Sequence, residues 1–317
     1  VLCANFTPAF AHADCGHSHL PKIVTSTTPL ASIVATIIGN EAEVVAINDG
    51  SSGCPHHYHL KPSDKDKTNS AKILIYINDN FDGFAAKLFQ NSTGKIVKLS
   101  DIKSINFIDA DGKRNWHFWL DLNNILALQT EISEVLIAEF PDKKATILKN
   151  KTKADEKIQE LIYLKTEGLQ NLSQLVLMSD SLEHFATNID ARVIRLYQKP
   201  NASLKDLAKL DKALSVKMQQ CIVLDSEQDP KLFAKYNKKI VTLESENWSL
   251  RKTHHHHHEH EHEHSHKRGH AHEHHDHTDC DHTHPHEESH EHHSQHELAG
   301  LFFEKYAELI KQLQNCR

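Results

Sequence analysis

Lys72-Ile73-Leu74-Ile75-Tyr76-Ile77 is the stretch whose reading decides the fold. Five of its six residues form an unbroken apolar run, whereas a strand with one wet face alternates apolar and polar residues. Such a run suits a parallel sheet with helices on both faces, and hence an α/β architecture. The surroundings agree. Ile23–Ser26 and Glu43–Ile47 read as strands on either side of a helix around Pro29–Ile38, and a helix near Phe81–Phe89 leads to a strand at Lys95–Leu99. Residues 121–140 show helical periodicity. From Lys143 to about Leu169 the chain is rich in Lys, Glu, Ala, Leu and Gln, has no proline and meets its one glycine, Gly168, late, which predicts a single long helix. A second block places strands at Leu175–Met178, Ala191–Leu196, Cys221–Leu224 and Lys239–Leu243. The closing segment, Glu297 to Gln314, puts Leu298, Leu301, Phe302, Tyr306, Leu309, Ile310 and Leu313 on one helical face.

Composition sets one segment apart. Residues 254–296 hold 21 of the 29 histidines, and residues 254–297 carry 11 Asp and Glu against Lys267 and Arg268. The net charge of −7 therefore belongs to that insert, and the remainder of the chain sums to +2. No strongly basic surface is left for nucleic acid. The insert alternates His with Glu, Asp, Ser and Thr, cannot bury a core, and is expected to be disordered when metal-free. Neutral imidazoles interleaved with carboxylates suit Zn, Cu, Ni or Co. A purification tag would account for His254–His258 alone. At the other end, Val1–Ala13 resembles the tail of a secretory signal peptide closing on Ala11-His12-Ala13. Six cysteines (Cys3, Cys15, Cys54, Cys221, Cys280, Cys316) are compatible with an oxidising compartment, and no CxxC pair suggests a zinc ribbon.

Two further segments carry ligand chemistry. Pro55-His56-His57-Tyr58-His59-Leu60-Lys61-Pro62-Ser63-Asp64 sits between a strand and a helix capped by Ser63 or Asp64, and concentrates three histidines in four positions. Asn115-Trp116-His117-Phe118-Trp119-Leu120-Asp121 sets a histidine among aromatics just before a helix. Taken alone, a histidine placed like His117 is more often packed in a core than a ligand.

Together these segments resemble the P-H-x-Y-x-x-x-P-S-D and N-x-H-x-W-L-D motifs of the periplasmic zinc-uptake substrate-binding proteins of ABC transporters. The likeness extends over roughly residues 20–250 and 296–317. It implies two α/β lobes joined by a long rigid helix, with metal in the inter-lobe cleft and the His-rich insert before the last helix. The expected divisions are a signal-peptide remnant (1–13), an N-terminal lobe (14–142), a linking helix (143–172) and a C-terminal lobe (173–317) containing the insert at 254–296. Carried over by motif, the first-lobe ligands would be His56 and His117, with His57 and His59 at positions that are not usual ligands. The family commonly takes a third histidine from the second lobe, but that position here is Ser179, a poor zinc ligand beside imidazole. Asp180 is adjacent. His184 lies five positions on, which a helix points elsewhere. Glu244 matches the family's acidic position near the last strand and would close a His/His/Glu site, while Asp225 matches an acidic residue that more often supports the ligands. The last helix is expected to return to the second lobe and bring Cys316 to Cys221, a disulfide that the resemblance also suggests. Cys280 would then be free or bind metal.

The implied function is a monomeric periplasmic receptor that captures Zn2+ as its transported ligand and hands it to an inner-membrane ABC permease, with no nucleic-acid partner. A zinc-buffering protein on the same fold, feeding no permease, is the alternative that Ser179 motivates. A metallohydrolase is disfavoured, because no HExxH stands on a helical pattern outside the insert and no general base accompanies the candidate ligands.

Overall fold

The computed structural model describes residues 20–50, 55–110, 112–197, 203–250 and 295–317. The signal remnant, Cys3, Cys15, Cys54, Cys280 and the insert up to Ser294 lie outside the described residues. The first lobe contains β1 (Lys22–Thr27), α1 (Thr28–Ile38), β2 (Glu43–Asn48), α2 (Pro62–Thr68), β3 (Ala71–Tyr76), α3 (Gly83–Phe89), β4 (Lys95–Lys98) and a small hairpin, β5 (Asp109–Ala110) with β6 (Lys113–Arg114). Then come α4 (Leu122–Glu139) and the connecting helix α5 (Lys144–Gly168). The second lobe contains β7 (Gln174–Leu177), α6 (Glu183–Ala186), β8 (Val193–Arg195), α7 (Leu204–Leu214), β9 (Gln220–Asp225) and β10 (Lys239–Leu243), and α8 (Gln295–Leu313) closes the chain.

Each lobe is built on a four-stranded parallel sheet, ordered β2-β1-β3-β4 in the first and β10-β9-β7-β8 in the second. The apolar run at β3 behaves as expected: Ile73, Leu74, Ile75 and Ile77 are fully or almost fully buried, because both sheet faces are covered. Val24, Leu74, Tyr76 and Phe89 pack under the α2–α3 layer, while Ile23, Ile73 and Ile75 meet α1 and α4 on the other side. The second core continues through Leu120, Ile158 and Tyr306 to Leu175, Val223 and Leu243, so one contiguous apolar body joins the lobes. Among the described residues no helix is long and apolar enough to cross a membrane.

The last helix departs from the expectation that it packs on the second lobe. All seven residues of its predicted apolar face are buried, but they are shared between α1, α5 and β10. Ser32 on α1 donates from Oγ to the Leu298 carbonyl (2.7 Å) and accepts from the Phe302 N–H (2.8 Å), so its hydroxyl stands between a helical donor and the carbonyl four residues before it. Tyr306 donates to the Leu120 carbonyl (2.7 Å). At its far end α8 reaches the second lobe, where a disulfide joins Cys316 to Cys221 with Cα atoms 5.4 Å apart. Periodicity fixes which face of a helix is apolar but not which neighbours it meets.

Candidate metal centre

The cleft between the lobes, about 570 Å³, opens at the C-terminal ends of the strands of both sheets, the usual place for a site in parallel α/β folds. His56 follows β2 on a short turn at Pro55–His57. That segment is pinned from behind, because Tyr58 donates to Asp64 Oδ2 (2.9 Å) and to the Ile47 carbonyl (3.2 Å). Asp64 also accepts from the Lys61 N–H (2.8 Å) at the start of α2, so it is Asp64 rather than Ser63 that secures this helix. Gly50, with φ of +76°, allows the loop to pass close to Trp248; a Cβ there would stand 2.9 Å from the Trp248 backbone. The first ligand loop is thus held against the segment that follows β10.

His117 is fixed by its own neighbours. Asn115 Oδ1 accepts from the His117 N–H (3.0 Å) and from Nδ1 (2.8 Å), an Asx-type turn that leaves Nε2 directed into the cleft. Phe81 lies edge-on to both imidazoles, with ring centroids 4.5 Å from His56 and 5.3 Å from His117. Trp119 Nε1 donates to the Ser245 carbonyl across the lobes (3.0 Å).

The carboxylate that meets these imidazoles is Glu246. Its Oε1 is hydrogen-bonded to His117 Nε2 and lies 3.4 Å from His56 Nε2. One ligand atom from each of His56, His117 and Glu246 can be chosen so that all lie within 4.8 Å of one another. His117 is buried and Glu246 largely so, whereas His56 keeps 39% of its side chain exposed and forms the solvent side of the cluster. Burial alone would raise the Glu246 pKa, but the imidazoles of His117 and His56 overcome it and hold the carboxyl well below the usual range. Burial likewise pulls His56 down, yet Glu246, helped by Glu227 and Asp180, raises its pKa overall.

Glu244, the carboxylate chosen by motif, does something else. Its Oε1 accepts from the N–H groups of Glu246 (3.0 Å) and Asn247 (2.7 Å), and its carbonyl accepts from Trp248 Nε1 (3.0 Å). It folds the turn that presents Glu246. The carboxylate beside the imidazoles thus stands two residues after the one expected, because Glu244 is engaged by the N–H groups that follow it.

Ser179, Asp180 and Asp225 line the cleft without joining the cluster. Ser179 Oγ is bonded to Ser181 Oγ (2.7 Å). Asp225 accepts from the hydroxyls of Ser181 and Ser245 (the latter at 2.6 Å) and from the Ser226 N–H (2.7 Å), so its charge is already engaged. Asp180 offers its carbonyl to Asn115 Nδ2. His184 is fully buried, 3.2 Å from the Asn115 carbonyl, and burial takes its pKa down to about 4. His59 is exposed. In the sequence, Glu244-Ser245-Glu246 offers two carboxylates with the same motif context, and the signal for Glu246 is the second acid itself.

Chemically, two imidazole nitrogens and a carboxylate oxygen could supply three legs of a four-coordinate site; a dication with bonds of about 2.0–2.2 Å would need the hydrogen-bonded His117 Nε2 and Glu246 Oε1 to part so that it can stand between them. Comparison with known proteins supplies the family. The zinc-uptake complex component A (periplasmic) family matches residues 23–249. The chain belongs to this family. Over 73% of this chain and 76% of the other, it is 38% identical to an uncharacterized protein of Rickettsia prowazekii (strain Madrid E). It is 26% identical to the high-affinity zinc uptake system protein ZnuA of Haemophilus ducreyi, over 46% of this chain and 59% of that one, so the match spans about three-fifths of that relative. A crystal structure of ZnuA superposes with a TM-score of 0.63 at 18% identity, covering 71% of this chain and 91% of the other, a likeness of fold. The family comprises substrate-binding proteins of metal ABC transporters, with relatives named for zinc and for manganese. Its members are periplasmic or lipoprotein-anchored, and they bind and transport rather than catalyse.

Proposed function

We propose that this chain is the periplasmic zinc receptor of an ABC importer, and that His56, His117 and Glu246 are its metal ligands. The observation that carries this reading is the convergence of those three side chains in the inter-lobe cleft. Zn2+ would replace the protons that Glu246 and the imidazoles share in the metal-free protein, with water or a solvent-side group completing the coordination. The far wall, with Asp180, Glu227 and Glu244, gives the cleft a negative field that draws cations. Two nitrogens and one carboxylate favour zinc, since manganese suits a more oxygen-rich set. No bond is made or broken in the cargo; the work is differential affinity between lobe arrangements, followed by release to an inner-membrane permease. The protein would act as a monomer without a nucleic-acid partner.

Ser179, in place of a third histidine, supports a second reading, a zinc buffer that feeds no permease. Radioactive zinc uptake in a strain lacking the gene separates the two. Loss of high-affinity zinc uptake with manganese uptake intact is expected, and unchanged zinc uptake would leave only the buffer.

A further inference from the structure

Every polar group of Asn115 but one amide hydrogen is committed, and the partners lie on both sides of the cleft. Its N–H donates to the Ile108 carbonyl (2.8 Å) within the first lobe. Its Oδ1 accepts from His117 Nδ1 and from the His117 N–H. Its Nδ2 donates to the Asp180 carbonyl, and its own carbonyl takes His184 Nε2, both from the segment after β7 in the second lobe. The residue is 5% exposed, so these bonds do not compete with bulk water.

We propose that Asn115 is a positioning residue that couples the orientation of His117 to closure of the second lobe. This rests on His117 being a metal ligand. An amide oxygen can only accept, so Oδ1 fixes the proton on Nδ1 and leaves Nε2 as the metal-facing nitrogen. The same rigid amide carries Nδ2 toward Asp180, so the imidazole reaches its metal-binding orientation only where the amide plane also satisfies the second lobe. Ligand geometry and lobe arrangement are therefore set by one side-chain torsion, and part of the closure is present before metal arrives. An asparagine does this and an aspartate cannot, because a carboxylate keeps the acceptor for Nδ1 but turns an oxygen toward the Asp180 carbonyl.

The test uses the full chain carrying Asn115→Asp, Asn115→Ala or His117→Ala, with zinc affinity read against a competing chelator and metal-free lobe separation read by small-angle scattering. Asn115→Asp should widen the metal-free protein and lower affinity about tenfold, the equivalent of one lost inter-lobe hydrogen bond. Asn115→Ala should open it similarly and lose roughly a further tenfold by freeing the imidazole. Wild-type scattering and affinity in Asn115→Asp would overturn the coupling even if Asn115→Ala does not fold. His117→Ala distinguishes the two levels: retained tight binding there removes the ligand assignment and this proposal with it, whereas its loss beside an unaffected Asn115→Asp removes the coupling alone.

Discussion

Glu246→Gln and Glu244→Gln, measured side by side, ask which carboxylate touches the metal. In Glu244→Gln the amide oxygen still accepts from the Glu246 and Asn247 N–H groups, at 3.0 and 2.7 Å in the parent. What is lost is charge assistance, roughly 1 kcal/mol for each of the two bonds and about 2 kcal/mol in all, as hydrogen bonds to charged groups are worth about 1.5–3 kcal/mol and neutral ones about 0.5–1.5. Only the part that distorts the turn reaches the metal, so a fall of up to about tenfold in zinc affinity is expected. Glu246→Gln removes the anion between His56 and His117. Loss of a group that merely orients a ligand already costs about 10–100-fold, so loss of the ligand itself should exceed about 100-fold. The two variants are therefore expected to differ by at least tenfold, or about 1.4 kcal/mol. Competition against a tight chromophoric chelator reads the cleft site without counting weak sites elsewhere. Equal affinities, or a larger loss in Glu244→Gln, would refute the assignment of Glu246.

Three further expectations follow from the same geometry. His117→Ala should abolish tight zinc binding, while His59→Ala, at an exposed position, should change it less than about threefold, a surface-scale effect; equal losses by calorimetry would contradict the ligand set. The raised pKa of His56 stabilises the metal-free protein fully below about pH 6.5 and is lost as pH rises through the folded value, whereas the depressed pKa of Glu246 stabilises above about pH 4.5 and is lost as pH falls through its own folded value. The pair thus contributes most between about pH 4.5 and 6.5, and zinc affinity should fall through the same window because protons hold the imidazole; a pH-independent difference in melting temperature between parent and Glu246→Gln would contradict this. The disulfide joins residues 95 apart, which in the chain-entropy model is worth about 4.7 kcal/mol, so a Cys221→Ala/Cys316→Ala variant should melt roughly 10 °C lower, and an unchanged melting temperature would show that the cross-link adds nothing.

The fold was legible because its signals are local. Ile73 to Ile77 could only be a strand covered on both faces, and residues 144–168 lack any breaker before Gly168, so α5 runs as one helix. His56 and His117 stood out for a related reason, since each belongs to a loop with distinctive neighbours. What the sequence withheld depends on long-range partners. Nothing in the spacing of α8 says that Ser32 will meet Leu298 and Phe302, and so the helix was assigned to one lobe where it binds both. Glu244 and Glu246 differ only in where the turn after β10 sends them, a turn that Glu244 folds through the backbone after it and that Trp119 meets from the other lobe by donating to the Ser245 carbonyl. Asn115 was visible as a motif letter, but its contact with Asp180 joins residues 65 apart in the chain.

The central claim is that His56, His117 and Glu246 hold zinc in the cleft, and anomalous diffraction from zinc-loaded crystals, collected on both sides of the zinc edge, tests it most directly. One strong peak is expected among His56 Nε2, His117 Nε2 and a Glu246 oxygen, at bond lengths of about 2.0–2.2 Å. A strong peak bound instead by Glu244, Asp225 or Asp180, or no ordered zinc in the cleft, would contradict the account.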